Sequence, residues 1–590
     1  MNADKVISRR NFAKLMGTVP ALGVLAGCSS SNSSSSSETK TANTGSDATG
    51  ATHDEEMALT VFSQTANWSG SQVGWGATLL KDYFNVTMTV IPDTDGAYQT
   101  RMENGDLGDL VVWGTNGSDY QKAVDQGKLF DWDEDSVYDD TATNIKKYFQ
   151  TAIDGNKELN SDGKVHGIGN NVCDEKGDHD LFIYNWGIRW DLYEKLGHPE
   201  VKSLDDLEGV LKQMKELEPT ADDGKQTYAL SMWPDWDGNM VMYVKGLASA
   251  YRGYDELGIG LYDSTNGKFY DCLADDGPYM ESLKFINKLY RDGLVDPDSM
   301  TQTYDEMITK VRNGNVLFSI FDYAGSTAYN NTNHAEAGKI MMPLVPAEAS
   351  VIVQGLSTKG QGRIWSIGEL CDDPERVMEV IDWLYTPEGA LTNLYGPKGL
   401  MWEYDEQGNT KFTELGKTCF EDPTTDLTGT EWTSPKTGTT YTLSGTYTDG
   451  TLQVNNTTWA SGAKNPESNN ESFYEGTWAS NITDVTCDAE QDWRDTTGAK
   501  SQWEYLDAQN LSITAAANFA EGTRESELEL TWQQVIKTIK EGTWKAIYAS
   551  DDAEFESLVK SMQDTCNGYG YADCVAWCES EAKRRFGLQE

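Results

Sequence analysis

From residue 57 onward the hydrophobic positions switch between short runs of period two and longer stretches of period 3.6. Leu59–Ser63 reads as a short apolar strand, followed by the loop Thr65-Ala66-Asn67-Trp68-Ser69-Gly70. Val86–Ile91 alternates like a half-buried strand. Asp109–Trp113 is nearly continuous in apolar residues and bounded by glycines, as expected of a strand covered on both faces. Val316–Phe321 repeats that signature and ends at Asp322-Tyr323. The clearest helix runs from Ser203 to Pro219. Leu204, Leu207, Val210, Leu211, Met214 and Leu217 form its stripe, Ser203 with Asp206 supplies a capping box, and Pro219 stops it. Further helices are predicted over Tyr279–Arg291, after Asp373-Pro374, and past Trp532, with Phe555–Met562 and Tyr571 onward. Strands separated by helices predict an α/β architecture. Between about 405 and 510 the character changes: residues 421–460 hold 14 threonines, and Tyr447–Leu452 reads as a hairpin turn. This stretch is expected to be a β- or loop-rich insertion.

The first 56 residues follow neither pattern. Residues 1–27 carry Arg9-Arg10 with Phe12 and Lys14, then an apolar run of about a dozen residues, too short for the roughly 20 that span a membrane. They resemble a twin-arginine export signal, and Leu25-Ala26-Gly27-Cys28 resembles a lipobox with Cys28 as the lipidated residue. Residues 28–56 then read as the lipidated cysteine and a flexible Ser/Thr-rich tether. The expected location is extracytoplasmic, on a lipid anchor in the cell membrane.

Composition narrows the partners. The 590 residues include 47 Lys and Arg against 94 Asp and Glu, a formal charge of −47, which repels phosphate backbones and argues against nucleic acid. The 19 tryptophans and 28 tyrosines suit a protein that presents flat apolar faces to something. Eight cysteines follow Cys28. Cys566, Cys574 and Cys578 leave zinc, one local disulfide or buried thiols open. The five histidines show no metal-ligand spacing.

No nucleophile elbow, phosphate loop or dinucleotide fingerprint is present. With so many acids, a glycosidase pair is neither named nor excluded; Asp235 and Asp237 around Trp236 are the most site-like. A binding reading has more support. A sugar offers a CH face for stacking and a rim of hydroxyls for polar side chains, and ligands of α/β sheets sit beyond the carboxyl ends of strands. The candidate ligand-binding residues are therefore Asn67, Trp68 and Trp75 after the first strand, Trp113 and Asn116 after the third, and Trp186, Arg189 and Trp190 before a helix. Trp233, Asp235, Trp236 and Asp237 on a Gly/Pro loop join them, with Asp322 and Tyr323 after the later strand.

Ile188-Arg189-Trp190-Asp191-Leu-Tyr-Glu-Lys-Leu196-Gly197, with Lys202–Leu207 and the helix ending at Pro219, resembles the family-1 extracellular solute-binding proteins of bacteria. Gly105–Leu110, Asp162–Gly167, Tyr290–Pro297, Asp373–Glu375, Tyr385–Gly389, Tyr395–Gly399 and Trp402–Tyr404 follow in that family's order, as do Gly542–Lys545 and Gly568–Tyr571. The long oligosaccharide-binding subgroup is the nearest likeness. The resemblance implies a type II periplasmic-binding-protein-like fold: two hinged α/β lobes with a ligand cleft between them. The expected boundaries are 57–165 with 304–370 for one lobe, and 166–303 with 371–590 for the other, the insertion 405–510 included. It also implies a monomeric, non-enzymatic receptor that hands an oligosaccharide to ABC permease subunits and their ATPase. Some relatives carry a calcium loop of EF-hand type after the corresponding helix. Here Glu218–Gly224 lacks the acid spacing and Leu230 stands where the last Glu belongs, which counts against calcium, so no cofactor is expected. A cell-surface glycoside hydrolase or lyase, a sensor, and a binder of a non-sugar solute remain alternatives.

Overall fold

The computed structural model describes residues 53–587, apart from 67, 95, 175–178, 470, 515–521 and 523, and without the side chains of 585–587. Cys28, the export signal and the tether lie outside the described residues.

The first lobe is built on a six-stranded sheet in the order Gly70–Ser71, Val86–Pro92, Met57–Ser63, Leu110–Trp113, Ile364–Ile367, Ile168–Gly169. Met57–Ser63 runs parallel to both of its neighbours, with Val61 opposite Val90. Ile364–Ile367 enters antiparallel, Ile364 opposite Trp113. Successive residues of a strand point to opposite faces, and both faces are covered. Val61 and Val112 join the main core of this lobe, while Phe62, Val111, Trp113 and Ile364 join a smaller one with Tyr98 and Tyr120 from helices Ala97–Asn104 and Ser118–Asp125.

The second lobe centres on an antiparallel sheet, Phe318–Phe321, Tyr184–Arg189, Met341–Pro343, with a meander over 255–271 and a parallel pair, Val351–Gln354 with Leu511–Thr514. Its core also takes Trp532, Val535, Ile539, Phe555, Met562 and Cys578 from the C-terminal helices. The helix Leu204–Leu217 is capped as its sequence requires: Ser203 accepts the N–H of Asp206, and Asp206 returns the bond. Leu217, at the end of the stripe, is exposed.

The two cores divide the chain differently from the expected boundaries. Residues 59–173 and 365–478 share one core, 182–353 and 489–582 the other. Residues 304–353 belong to the second lobe because Phe318–Phe321 hydrogen-bonds to Tyr184–Arg189. Residues 371–478 belong to the first because the helix Pro374–Leu384 buries Val377, Met378 and Ile381 beneath its sheet. Among the described residues the chain therefore passes between lobes at 173–182, 353–364 and 478–489. The first two passages run side by side, bridged at Val172–Ser357 and His179–Gly355.

The threonine-rich stretch wraps the first lobe. Trp432, Trp459 and Trp478 are fully buried in its core. Tyr447–Gly450 is one helical turn with a Thr446–Asp449 capping box, not the expected hairpin; the hairpin lies just before it, Glu431–Thr433 against Thr440–Thr442. Thr446 and Asp449 have the spacing of a helix start, and that local bonding prevails over the Asp-Gly turn signal. Gly450 lies against Trp75, whose indole N–H donates to the Tyr447 carbonyl (2.9 Å); a Cβ at Gly450 would sit 2.1 Å from the indole.

Candidate functional site

The passages between lobes leave the first sheet at one edge: after Ile168–Gly169 and before Ile364. Because Ile364–Ile367 is antiparallel to its neighbour, this is also the carboxyl edge of the parallel strands, where Ser63, Pro92 and Trp113 end. The edge that α/β folds use for ligands is thus the edge turned toward the second lobe. The second lobe presents the matching end of its sheet, since Tyr184 pairs with Phe321 at the point where the chain has just crossed. The cleft walls are these two ends.

The second-lobe wall is aromatic. Trp236 is 48% exposed and stacks on Tyr304, centroids 4.4 Å apart and planes at 28°. Tyr323 stands 6.1 Å from Trp236. Beneath them Trp233, fully buried, touches Trp236, Tyr304, Phe321 and Tyr323 edge-on or tilted, so a core indole holds the exposed Trp236 and its half-buried neighbours. Beside Tyr323 is a cavity of about 120 Å³ lined by Phe182, Ile183, Asn185, Asp322, Tyr474 and Trp503, among others. Asp322 accepts from Asn185 Nδ2 (2.6 Å) and from the Thr327 hydroxyl (2.8 Å), and burial pushes its carboxyl up to about 6.

Tyr474 reaches this cavity from the first lobe, and Glu475 follows it in the chain. Burial, opposed by hydrogen bonding and assisted by the charge of Asp322, pushes Glu475 up to about 7. Its neighbour agrees. The Tyr395 hydroxyl accepts the Glu475 N–H (3.1 Å) and lies within bonding distance of both the Phe473 carbonyl (2.9 Å) and Glu475 Oε2 (2.8 Å). One hydroxyl proton serves one acceptor at a time, so a protonated Glu475 completes the set by donating to the tyrosine oxygen.

The first-lobe wall is polar and rich in amides. Gln64 Nε2 donates to Asp93 (3.2 Å) and Asp119 (3.1 Å), and its Oε1 accepts the N–H of Gly114 (3.1 Å), tying three strand ends together. Asn171 donates to Gln361 Oε1 (2.9 Å) and Asn170 to Asn456 Oδ1 (2.8 Å). Asn116 is buried with its Oδ1 unpaired. Between Gln361 and the strand stands Arg363, exposed to solvent yet hemmed in closely enough that burial lowers its pKa.

The candidates named from sequence thus separate. Trp236, Asp322, Tyr323 and Asn116 stand at the cleft ends, and Trp68 is half-buried after the first strand. Trp75, Trp113, Trp186, Trp190 and Trp233 are sealed in the cores and offer no face to a ligand. Arg189 is fully buried, held bidentately by Asp191 (2.8 and 2.9 Å) with Glu218 beyond, and Asp237 accepts from Met242 N and the Trp544 indole (2.7 Å each), so both are spent on structure. Asp235 accepts the N–H of Tyr304 (2.8 Å) and so anchors the platform. Asn67 lies outside the described residues. Arg363, Gln361, Asn171, Tyr304, Tyr474, Glu475 and Trp503 escaped the sequence reading. Only Arg363 carried a usable signal there, a cation that follows Gly360 and Gly362 just before an apolar strand.

Other sites are less equipped. A groove of about 870 Å³ on the second lobe has its arginines paired, Arg252 with Glu281 and Arg291 with Asp552. In the loop Glu218–Gly224, Asp222 and Glu218 face Lys339 and Arg189. The eight described cysteines are thiols, and burial pushes Cys566 up to about 12 and Cys574 up to about 11, far from metal-binding thiolates. Among the described residues no group of His, Cys, Asp and Glu could hold a metal ion, and no helix is long and apolar enough to cross a membrane.

Two lobes joined by adjacent crossings, with an aromatic and a polar wall between them, define a solute-binding protein of the hinged kind. The chain belongs to the bacterial extracellular solute-binding protein family, whose profile matches residues 75–391, more than half its length. Lipoprotein LipO of Bacillus subtilis (strain 168) is 24% identical over 315 residues, 52% of this chain and 51% of LipO; the chain spans about half the length of this curated relative. Among solved structures, alginate-binding protein AlgQ2 without calcium ion matches with a TM-score of 0.55 at 16% identity, over 90% of this chain and 99% of that one. The S. pneumoniae ABC-transporter substrate binding protein FusA in complex with kestose matches at 0.53 and 18%, over 90% and 100%. An extracellular solute-binding protein from Bifidobacterium longum subsp. infantis matches at 0.55 and 14%, over 90% and 99%. These likenesses establish the two-lobed type II fold.

Proposed function

We propose that this chain captures an oligosaccharide between its lobes and delivers it to the permease subunits of an ABC importer, without altering it chemically. The observation that carries the reading is the half-exposed Trp236 stacked on Tyr304 beside Tyr323, opposite a wall of amides. A pyranose laid on such a face buries its CH groups while its hydroxyls meet Asn and Gln side chains. The solved relatives named for alginate and kestose support the same chemistry. In this reading Cys28 carries the lipid that keeps the receptor at the outer face of the cell membrane; a Cys28→Ala chain would be released into the medium.

The test is thermal shift of the full-length chain against panels of oligosaccharides, peptides and metal ions. A ligand at about 100 times its dissociation constant adds roughly 2.7 kcal/mol of stability. A shift by one glycan class, with the glycan recovered intact, is the expected outcome. Cleavage of the glycan would move the protein to the hydrolases, and a shift by peptides alone would remove the carbohydrate claim.

A further inference from the structure

We infer that Arg363 selects glycans bearing a carboxylate, its guanidinium pairing with the acid group of a uronate or sialate residue held against the first-lobe wall. The inference rests on the oligosaccharide reading above and narrows its ligand class.

Arg363 is anomalous among the arginines whose side chains are described. Acids outnumber bases two to one, and Arg189, Arg252, Arg291, Arg376, Arg494, Arg524 and Arg584 each hold a carboxylate within salt-bridge distance. Arg101 bonds to the Asp106 carbonyl from a helix end, and Arg312 closes the last turn of its own helix, where a cation suits the dipole. Arg363 has neither arrangement. Its backbone carbonyl accepts from Asn170 N (3.0 Å), which fixes it at the mouth of the sheet, and no described group bonds its guanidinium.

Its side chain reaches solvent, yet its surroundings desolvate it in part, and no described carboxylate offsets that. Its surroundings are the kind that leave an anion welcome. Next to it, Gly362 lies beside the Asn116 amide (3.5 Å from a Cβ built on that glycine), and Gln361 is engaged with Asn171. A planar fork of donors among neutral amides fits a planar carboxylate bidentately. The net charge of the chain opposes this choice only weakly at close range, because fields from exposed charges are screened beyond about 8 Å at physiological ionic strength.

The experiment compares paired probes by calorimetry on the full-length chain: trigalacturonate against its methyl ester, and sialyllactose against its methyl ester, beside neutral maltotriose and kestose. The same titrations follow in Arg363→Met and Arg363→Lys. The expected result is that one acid binds about tenfold to a hundredfold tighter than its own ester, that Arg363→Met brings the pair within threefold, and that Arg363→Lys keeps part of the difference. The melting temperature of unliganded Arg363→Met should equal or exceed that of the parent, since an uncompensated charge is removed; a marked fall would assign the residue to structure instead. If esters or neutral glycans bind as well as the acids, the charge-selection inference is overturned while the carbohydrate reading stands. If no glycan binds in either form, both fall together.

Discussion

The two walls of the cleft are made by opposite means. On the second lobe, Trp236, Tyr304 and Tyr323 stand on a buried Trp233, and their position is set by ring packing. On the first, Gln64, Asn170, Asn171 and Gln361 are set by amide hydrogen bonds between loops that leave a mainly parallel sheet. Packing fixes a surface without specifying direction, whereas hydrogen bonds fix direction over little area. One wall is thereby suited to the face of a ring and the other to its rim. Their separate construction means that each can be damaged alone.

The largest effect should come from beneath the aromatic wall. Trp233→Ala removes the member that Trp236, Tyr304 and Tyr323 all touch and should cost about 3–5 kcal/mol of stability, read from denaturant midpoints. A loss below about 1 kcal/mol would show that these three rings support themselves. Next comes the place where the walls meet. Glu475 holds its proton up to about pH 7 in the folded state against an ordinary value of 4.5, so the folded chain binds more protons than the unfolded one between those values. The resulting stabilisation is complete below about pH 4.5 and is lost as pH rises through 7, a contribution of order 1–3 kcal/mol. Glu475→Gln stays neutral and should not show that loss. Parallel stability curves for the two proteins from pH 4 to 8 would remove Glu475 as the cause. The smallest effect on stability, under about 1 kcal/mol, is expected for Trp236→Ala, which should nevertheless weaken glycan binding roughly tenfold. Unchanged affinity would move the binding face away from this ring.

Much of the fold was legible because its signals are local. The Ser203–Asp206 box, the stripe from Leu204 to Met214 and the apolar run at Leu110–Trp113 each need only near neighbours to take effect. The cleft was legible in part. Asp322, Tyr323 and Asn116 follow strand ends, and strand ends face the other lobe. The same rule misplaced Trp113, because alternation along the strand turns it onto the sheet face that Tyr98 and Tyr120 cover. Trp75 failed for a longer-range reason, since the segment that buries it, Tyr447–Gly450, arrives some 370 residues later. Lobe boundaries were obscured likewise: nothing local distinguishes a strand that pairs with Tyr184–Arg189 from one that pairs with Leu110–Trp113. The family order of motifs supplied what periodicity could not.

The threefold passage between lobes has a consequence for how the protein is made. The first sheet lacks the strand that separates Leu110–Trp113 from Ile168–Gly169 until residue 367 has been synthesised, and its core lacks Trp459 and Trp478 until later still. The second lobe waits for the helices beyond residue 526. Neither half can therefore finish folding on the ribosome ahead of the other, as successive domains commonly do. Both must close nearly together, after almost the whole chain has emerged, with unpaired strand edges and a large share of the tryptophans exposed until then. The period of greatest risk of aggregation is therefore the end of translation, and overexpression should strain chaperone capacity.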